Sequence, residues 1–530
     1  MPYYLIHAGT ALQKLATDGV LSSLTLPSGV TVSSARRSRF AILDRWVIVV
    51  NAVSRNIFMD AATLQTRLLN IAGPSAKLTS AAGAAGNPNG EYRYKFTYAI
   101  MSGTDVLVES PFSAESTPIT LTNLKGALSD ITVSPTTSVN ARRIYRTTNG
   151  SSTYYLLATI ADNTTTTYTD DSTDYDLALL GEVEPRGNAP GVDGTDRLQV
   201  ITTWKDRLWA TSANEPDRIR FTANREIYAW PSNYSFNAKP IGEDEIGVTA
   251  FVPRRNELLV GKRSRILKII GDGVDSFEIL GVTEGIGPIS QEATVVVRDV
   301  PYFLGEDGFY QYGGSGLVSL TRDRVHPWFT TDDYFNRALF SEAFAKWNPK
   351  YDVIDLHLAA AGSTSIDRWV SLDLRTGRWY GPHKTDAFTP TMATLGRDDD
   401  DLLVPIVGAS SGHIYTGNRA TRSDDATAIA FALSTKFHGA NTPDIEKFWG
   451  ELAVLSDKLS TGSVTVTPYF DDPDAPTAGT ALTHALTSGR ERLGRVGTGR
   501  LCQLRFTESN AGQSVLIYGY ELPFHELGRR

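Results

Sequence analysis

The chain has 530 residues and a formal net charge of −8 at pH 7. This charge argues against binding of nucleic acid through a basic surface. Its single cysteine, Cys502, excludes an intramolecular disulfide and a cysteine-based metal cluster. No apolar run is long enough to span a bilayer, so we expect no membrane insertion. The length predicts several domains.

The first 72 residues contain one strand, turn, strand unit. Residues 39–50 (RFAILDRWVIVV) and 54–60 (SRNIFMD) are apolar runs separated by a short polar turn. We interpret this unit as a first propeller blade. Residues 10–16 predict one or two turns of helix, in a chain that otherwise has almost no helix signal.

Residues 73–185 have a different pattern. Residues 81–90 (AAGAAGNPNG) are interpreted as a small-residue linker. The strict aromatic alternation of residues 92–100 (YRYKFTYAI) then predicts a half-buried strand. Further short strands at 109–113, 130–133, 141–146, 154–160 and 167–170 favour an immunoglobulin-like or fibronectin III-like sandwich. Because blades precede and follow it, we interpret it as an insertion that folds as a separate module.

Residues 186–425 repeat one pattern. Residues 201–210, 250–260 and 294–304 each predict an apolar strand, a polar turn and a second strand, and after a Gly or Asp turn a third strand follows at 217–222, 265–270 and 308–312. Units recurring roughly every 46 to 50 residues are typical of propeller blades. Two further units, at 344–380 and 401–416, and the N-terminal unit bring the prediction to about six blades.

Residues 426–530 contain longer alternating strands and predict a second β-sandwich. The fold prediction is therefore all-β: a β-propeller of about six blades, an inserted sandwich and a C-terminal β-sandwich. The predicted boundaries are 1–72, 73–185, 186–425 and 426–530.

Basic residues at the ends of predicted strands are the candidate contact residues. The set is Arg254, Arg255, Lys262, Arg263 and Arg265. Exposed blade turns explain each one singly, whereas contacts to DNA phosphate or to acidic edges of neighbouring subunits are the functional alternative. Residues 490–500 form another basic run, and 243–245 and 398–401 are the acidic edges that such contacts would meet.

Catalytic patterns are missing from the sequence. It lacks a sialidase-type Asp box, and Glu306 and Asp307 point to opposite faces if they continue a strand, while Asp-Gly is a common hairpin turn. The histidines lack zinc-binding spacing. We therefore predict no enzymatic activity and no cofactor.

Several stretches together resemble the tail nozzle proteins of short-tailed phages (podoviruses), also called tail tubular protein B or packaged-DNA stabilisation proteins. The stretches are 24–30 (LTLPSGV), 204–210 (WKDRLWA), 214–222 (NEPDRIRFT), 257–267 (ELLVGKRSRIL), 285–290 (GIGPIS) and 302–310 (YFLGEDGFY). The inserted sandwich departs from that pattern.

The resemblance implies a structural protein of the virion tail, in a ring that is expected to be a homo-hexamer. It would lie below the portal and the head-to-tail adaptor, near tail fibres or spikes. Genomic DNA would pass through its lumen, where the ring helps to retain and then conduct the genome. The alternative is a receptor-binding or polysaccharide-degrading phage tail protein, which predicts exposed aromatics and a carboxylate pair in one pocket. A cellular propeller scaffold would predict repeats closer to a known consensus.

Overall fold

The computed structural model describes residues 3–16, 20–180, 197–239, 247–314, 316–385, 387–397, 402–417, 423–424, 427–428, 430–509 and 515–528. The architecture is all-β, with many small antiparallel sheets. Two compact units are formed, the first from Met1–Ala345 with Leu358–Thr364 and the second from Lys346–His357 with Ser365–Arg530. Within the described ranges, no helix combines the length and apolar character needed to cross a membrane.

The first unit begins with a three-stranded sheet of β1 (Tyr3–Ala8), β2 (Ala11–Ala16) and β3 (Leu21–Ser23). The helix predicted at residues 10–16 is therefore wrong. Gly9 has a positive φ of 60° and allows a tight hairpin in which Ala8 pairs with Ala11. The next sheet is a meander of β4 (Arg39–Leu43), β5 (Trp46–Val50), β6 (Ile57–Asp60) and β7 (Thr66–Leu68), as predicted for the first repeated unit.

Two antiparallel sheets follow, with orders β10-β9-β12-β13 and β14-β11-β8, and we call them the inserted sandwich. Their strands are β8 (Thr79–Tyr92), β9 (Tyr94–Ser102), β10 (Asp105–Glu109), β11 (Ile119–Ser129), β12 (Ala141–Thr147), β13 (Tyr154–Ile160) and β14 (Tyr168–Asp170). Helix α1 (Asp174–Leu180) follows. Strand β11 was not predicted, and the strand predicted at 130–133 is absent from the described structure.

The linker predicted at residues 81–90 is also wrong, because these residues lie inside the 14-residue strand β8. Strand β8 pairs with β11, and its glycines leave room for neighbouring side chains. A Cβ atom on Gly86 would come 2.4 Å from Lys125 Cγ, and one on Gly90 would come 2.4 Å from Asn149 Cγ. Small residues are therefore required by packing here and do not indicate a linker.

Three four-stranded meanders follow, each with its strands hydrogen-bonded in chain order. They are β15 (Leu198–Trp204), β16 (Arg207–Ser212), β17 (Arg218–Phe221) and β18 (Ser235–Asn237); β19 (Ala250–Pro253), β20 (Leu258–Lys262), β21 (Arg265–Ile270) and β22 (Glu278–Glu284); and β23 (Thr294–Val297), β24 (Val300–Leu304), β25 (Phe309–Gly313) and β26 (Gly316–Ser319). The predicted strands of the repeat are present, and each sheet adds a fourth strand that the sequence pattern did not indicate. Helix α2 (Pro327–Thr330) and a 3-10 helix (Arg337–Glu342) follow.

Aromatic packing fills the meanders. Trp209 is fully buried, stacks on Phe221 with ring centroids 4.5 Å apart, and donates its indole N–H to the Trp204 carbonyl at 3.0 Å. A larger buried cluster runs from Leu12 to Trp230 and includes side chains of both the first meander and the sandwich. The sandwich is thus packed into the first unit; its ability to fold alone stays a prediction.

The second unit contains most of the meander β27 (Phe344–Asn348), β28 (Val353–Leu358), β29 (Arg368–Asp373) and β30 (Arg378–Lys384). It also contains the meander β31 (Pro390–Arg397), β32 (Leu403–Ala409) and β33 (Ile414–Thr416), and the short pair β34 (Ser423–Asp424) and β35 (Thr427–Ala428). Besides the N-terminal sheet β1–β3, six meanders of three or four strands are therefore present in the described parts of the chain, and we number them in chain order from β4–β7.

The chain ends in two facing sheets, with orders β36-β42-β38-β39 (β40 also pairs β38) and β41-β37-β43 (β44 also pairs β37). The strands are β36 (Phe431–Ser434), β37 (Glu446–Ser456), β38 (Ser463–Phe470), β39 (Thr477–Ala478), β40 (Leu482–Ala485), β41 (Arg490–Gly499), β42 (Cys502–Glu508), β43 (Ile517–Glu521) and β44 (Phe524–Gly528). Trp449, Leu504 and Phe506 are buried in one cluster. We call these sheets the C-terminal sandwich.

Candidate functional site: charged turns between successive sheets

Charged residues occupy the tips of the hairpins that join the first two strands of a meander. Trp204 pairs with Arg207 across Lys205 and Asp206, whose φ values are 50° and 54°. Positive φ at both central residues is the geometry of a type I′ hairpin turn, in which side chains point outward. Lys205 and Asp206 therefore place opposite charges at the tip of the hairpin.

Arg254 joins the third meander to the fourth. Its Nε donates to the Asp299 carbonyl at 2.9 Å, one Nη lies 3.5 Å from Asp299 Oδ2, and the other pairs with Glu257. Arg255 is exposed, and its backbone N–H faces the Asp299 carboxylate at 3.4 Å. Arg254 thus contacts the neighbouring sheet through its guanidinium, whereas Arg255 does so through its backbone N–H.

Lys262 is completely buried, and its ammonium lies 3.2 Å from the Asp217 carboxylate of the second meander. Contrary to its proposal as a contact residue, Lys262 is enclosed by its own chain and is not accessible to DNA or to a neighbouring subunit. A buried cation needs a carboxylate partner to offset its lost hydration, and Asp217 is that partner. Arg263 is exposed and lies 3.8 Å from Glu306, whereas Arg265 pairs with Glu284 at 3.0 Å.

Further ion pairs connect consecutive meanders in the same way. Asp44 of the first meander pairs with Arg225 at 2.7 Å, and Lys205 of the second meander pairs with Asp272 at 2.5 Å. Together with the contacts of Arg254, Lys262 and Arg263, these pairs link the first meander to the second, the second to the third and the third to the fourth. From the sequence, Arg254, Lys262 and Arg263 were explained either as exposed blade turns or as contacts to DNA or neighbouring subunits.

Arg39 also connects segments that are far apart along the chain. Its guanidinium binds both oxygens of Glu292, at 2.7 and 3.0 Å, and donates to the Gln199 carbonyl at 2.8 Å. Arg37 donates to the Glu342 carbonyl at 2.7 Å. Burial alone would raise the pKa of Glu292, but the charge and hydrogen bonds of Arg39, aided by Arg37, bring that pKa below its usual range. Glu292 is therefore held ionised.

The inserted sandwich holds a second set of charges that sequence reasoning missed. Arg146 binds Asp170 at 2.7 Å and Asp174 at 2.9 Å, and Tyr94 donates its hydroxyl to Asp170 at 2.9 Å. Arg146 and Asp170 have no exposed side-chain surface. A related pair joins Arg143 to Glu109 at 2.7 Å. Their partners come from distant strands, so no local motif marks them.

A cleft of about 590 Å³ opens beside the hairpin of the first meander. It is lined by residues 44–46, by residues 104–107 and Arg143 of the sandwich, and by residues 225–228. Its guanidiniums already face carboxylates: Arg225 pairs with Asp44, and Arg45 lies 3.6 Å from Asp60. The cleft walls are thus held together by intramolecular charge pairs.

One serine, histidine and glutamate group lies in the C-terminal sandwich. His484 Nε2 is 2.8 Å from Ser456 Oγ, and its Nδ1 is 3.2 Å from Glu491 Oε2. His484 has no exposed surface, and the Ser456 hydroxyl donates to the adjacent Asp457 carbonyl. Substrate access is therefore blocked, and we interpret the group as a buried polar network.

Other reactive groups are equally enclosed or dispersed. Cys502 is buried, and burial raises the pKa of its thiol to about 12, so it is not a thiolate at neutral pH. Glu306 faces Arg263, whereas Asp307 accepts a hydrogen bond from the Tyr310 hydroxyl. In the part of the chain that the structure describes, no cluster of three or more His, Cys, Asp or Glu residues is arranged to hold a metal ion. The acidic stretches 243–245 and 398–401 lie outside the described residues.

The chain has distant structural similarity to two solved structures. No protein-family model matches the chain, and no curated protein matches it. The computationally designed Ika8 protein has 10% sequence identity and a TM-score of 0.32, over 78% of this chain and 94% of that chain. PorZ, a bacterial surface component of the type-IX secretion system of Porphyromonas gingivalis, has 10% identity and a TM-score of 0.29, over 98% of this chain and 80% of that chain. Similarity at this level carries no argument about function, which must come from the residues themselves.

Proposed function

We propose that the six meanders are blades of a β-propeller and that the chain is a structural ring protein of a short-tailed phage tail. The observation that carries the proposal is the succession of six antiparallel meanders, interrupted after the first by a sandwich and followed by another. Within the first unit, β15 lies against both β4 and β19, and β19 against β23, so the first strands of consecutive meanders are neighbours. Blades of a propeller meet in this order.

The proposed role needs rigid β modules more than it needs chemistry. Ion pairs between consecutive meanders support such rigidity, because each carboxylate and cation is fixed by a different sheet. The proposed assembly is a homo-hexamer below the adaptor and portal, in contact with tail fibres or spikes. It would retain the genome and then conduct it through the lumen.

Weak DNA binding fits this role. Arg254, Lys262 and Arg265, three of the candidate DNA contacts, already face carboxylates of their own chain. DNA that releases few counterions on contact with the lumen is bound weakly, so its phosphates can slide past. We therefore expect purified protein to bind duplex DNA weakly and without sequence preference.

Imaging of the assembled particle tests the proposal. Cryo-electron microscopy of virions that carry this chain with a small tag should place the tag in a ring at the tail, below the portal. A position on the capsid shell or in a trimeric fibre would contradict it. For the alternative, a polysaccharide-degrading tail protein, the assay is glycan hydrolysis by wild type and by Glu306→Gln; activity lost on that substitution would favour the alternative.

A further inference from the structure

One sheet of the C-terminal sandwich has two open strand edges. Its central strand β37 pairs with β41 on one side and with β43 and β44 on the other. Within residues 430–509 and 515–528, no further strand pairs with β41, β43 or β44. Each outer edge therefore has backbone N–H and C=O groups that no strand in these ranges pairs, and such groups are templates for an added strand.

Two of three arginines on the β41 edge have no carboxylate partner among the described residues. Arg490, Arg492 and Arg495 pair in register with alternate residues of β37, so they share one face of the sheet. Arg490 reaches Glu521 at 3.0 Å. Across the described residues, Arg492 and Arg495 form no ion pair; the Arg495 guanidinium instead lies 5.8 Å from the Phe448 ring centre. This edge contrasts with Arg254, Lys262 and Arg265 of the meanders, which face carboxylates.

The opposite edge is aromatic, apolar and acidic. Tyr518 is 61% exposed and Leu527 is 57% exposed, and Phe524 is exposed between them. Glu521 and Glu526 lie on the same two strands. Guanidinium groups bind both carboxylates and aromatic faces, as Arg490 with Glu521 and Arg495 with Phe448 already demonstrate within this sheet. The two edges are therefore chemically complementary.

We propose that a second copy of this chain adds its β43–β44 edge to the β41 edge, extending the sheet from one copy to the next. The occupant is a second copy because the sheet itself carries both complementary edges. Such a contact joins different surfaces of identical chains and closes into a ring when the rotation between copies permits. The inference rests on the proposed ring for the number of copies, whereas the contact itself needs only one neighbour.

Sedimentation of the full chain over a concentration series measures the contact. We expect reversible self-association of wild type, weakened about tenfold or more in Arg492→Glu/Arg495→Glu, because these charges would then face the acidic edge. The matched control is Lys436→Glu/Arg505→Glu, which makes the same change in net charge outside this sheet. Wild type that stays monomeric at every concentration, or equal weakening by the control, would overturn the proposal.

Cysteine cross-linking tests the geometry. Thr498 and His525 both pair with Phe448 from opposite sides, so within one chain they are two strand spacings, about 10 Å, apart, beyond disulfide reach. Cys502 is buried and should not interfere. Oxidation of Thr498→Cys/His525→Cys, or of Arg500→Cys/His525→Cys to allow another register, should link chains into a ladder. A mixture of the single variants Thr498→Cys and His525→Cys should give dimers only.

Double variants that remain unlinked, or single variants that link to themselves equally well, would overturn the head-to-tail contact. The location of the chain in a particle does not affect these measurements. Failure of this contact is therefore distinguishable from failure of the tail proposal.

Discussion

The inserted sandwich and the meanders after it both use ion pairs, but they place them differently. In the sandwich, Arg146 and Asp170 have no exposed side-chain surface. Between the first and second meanders, Arg225 and Asp44 are 62% and 40% exposed. Removing one partner of a buried pair leaves a charge without hydration, whereas an exposed charge regains water. The same chemistry is therefore structurally essential in one region and replaceable in much of the other.

Breaking the sandwich pair should have the largest effect. We expect Arg146→Met to lower the free energy of unfolding by about 3 to 5 kcal/mol, because Asp170 stays buried without its cation. Urea denaturation followed by near-ultraviolet circular dichroism measures the loss. The control is Arg93→Met, in the same sandwich, whose pair with Glu115 is exposed. Equal losses in both variants would remove the distinction between buried and exposed pairs.

The stability lost on truncating a buried tryptophan of a meander can be compared with the stability lost on breaking its ion pairs. Trp209→Ala should cost roughly 3 to 5 kcal/mol, since the indole is fully buried against Phe221 and Phe277. Trp379→Ala should cost less, because Trp379 is only half-buried. Thermal unfolding of both variants is the measurement. An unchanged melting temperature for Trp209→Ala would place that side chain outside the stabilising core.

Glu292 provides a pH-dependent test. Its folded-state pKa is lowered, so its contribution to stability is present above the unfolded-state value, about 4.3, and is lost as the pH falls through the folded-state pKa. The stability difference between wild type and Glu292→Gln should be constant near neutral pH and should shrink below about pH 4.3. Urea titrations at a series of pH values check this. A difference that does not change on acidification would show that the Arg39 contact contributes no linked stability.

The smallest effect is expected at Arg263. Both it and Glu306 are exposed, at 54% and 62%, and 3.8 Å apart. Arg263→Ala should therefore change the free energy of unfolding by less than about 1 kcal/mol. Chemical denaturation beside wild type is sufficient to measure it. A loss as large as that of Arg146→Met would mean that exposure does not decide the value of these pairs.

The strands were predictable where periodicity is local, and the ion pairs were not. Residues 201–210 and 250–260 alternate clearly enough to indicate their hairpins. Residues 81–90 form a strand despite their glycines, because the reason for those glycines lies in Lys125 and Asn149, far away in the sequence. Lys262 was a candidate contact residue, and its burial could not be predicted because its partner Asp217 lies in another meander. Pairing of this kind depends on tertiary structure that a single sequence does not display.

The central claim is that the cations of the meanders hold one chain together, whereas contact between copies uses the C-terminal sandwich. A double-mutant cycle on Lys262 and Asp217 tests it most directly, using Lys262→Met, Asp217→Asn and the double variant. We expect a coupling energy of roughly 1 to 3 kcal/mol in unfolding, with unchanged self-association of the folded variants. Wild-type stability of Lys262→Met together with lost self-association would contradict the claim.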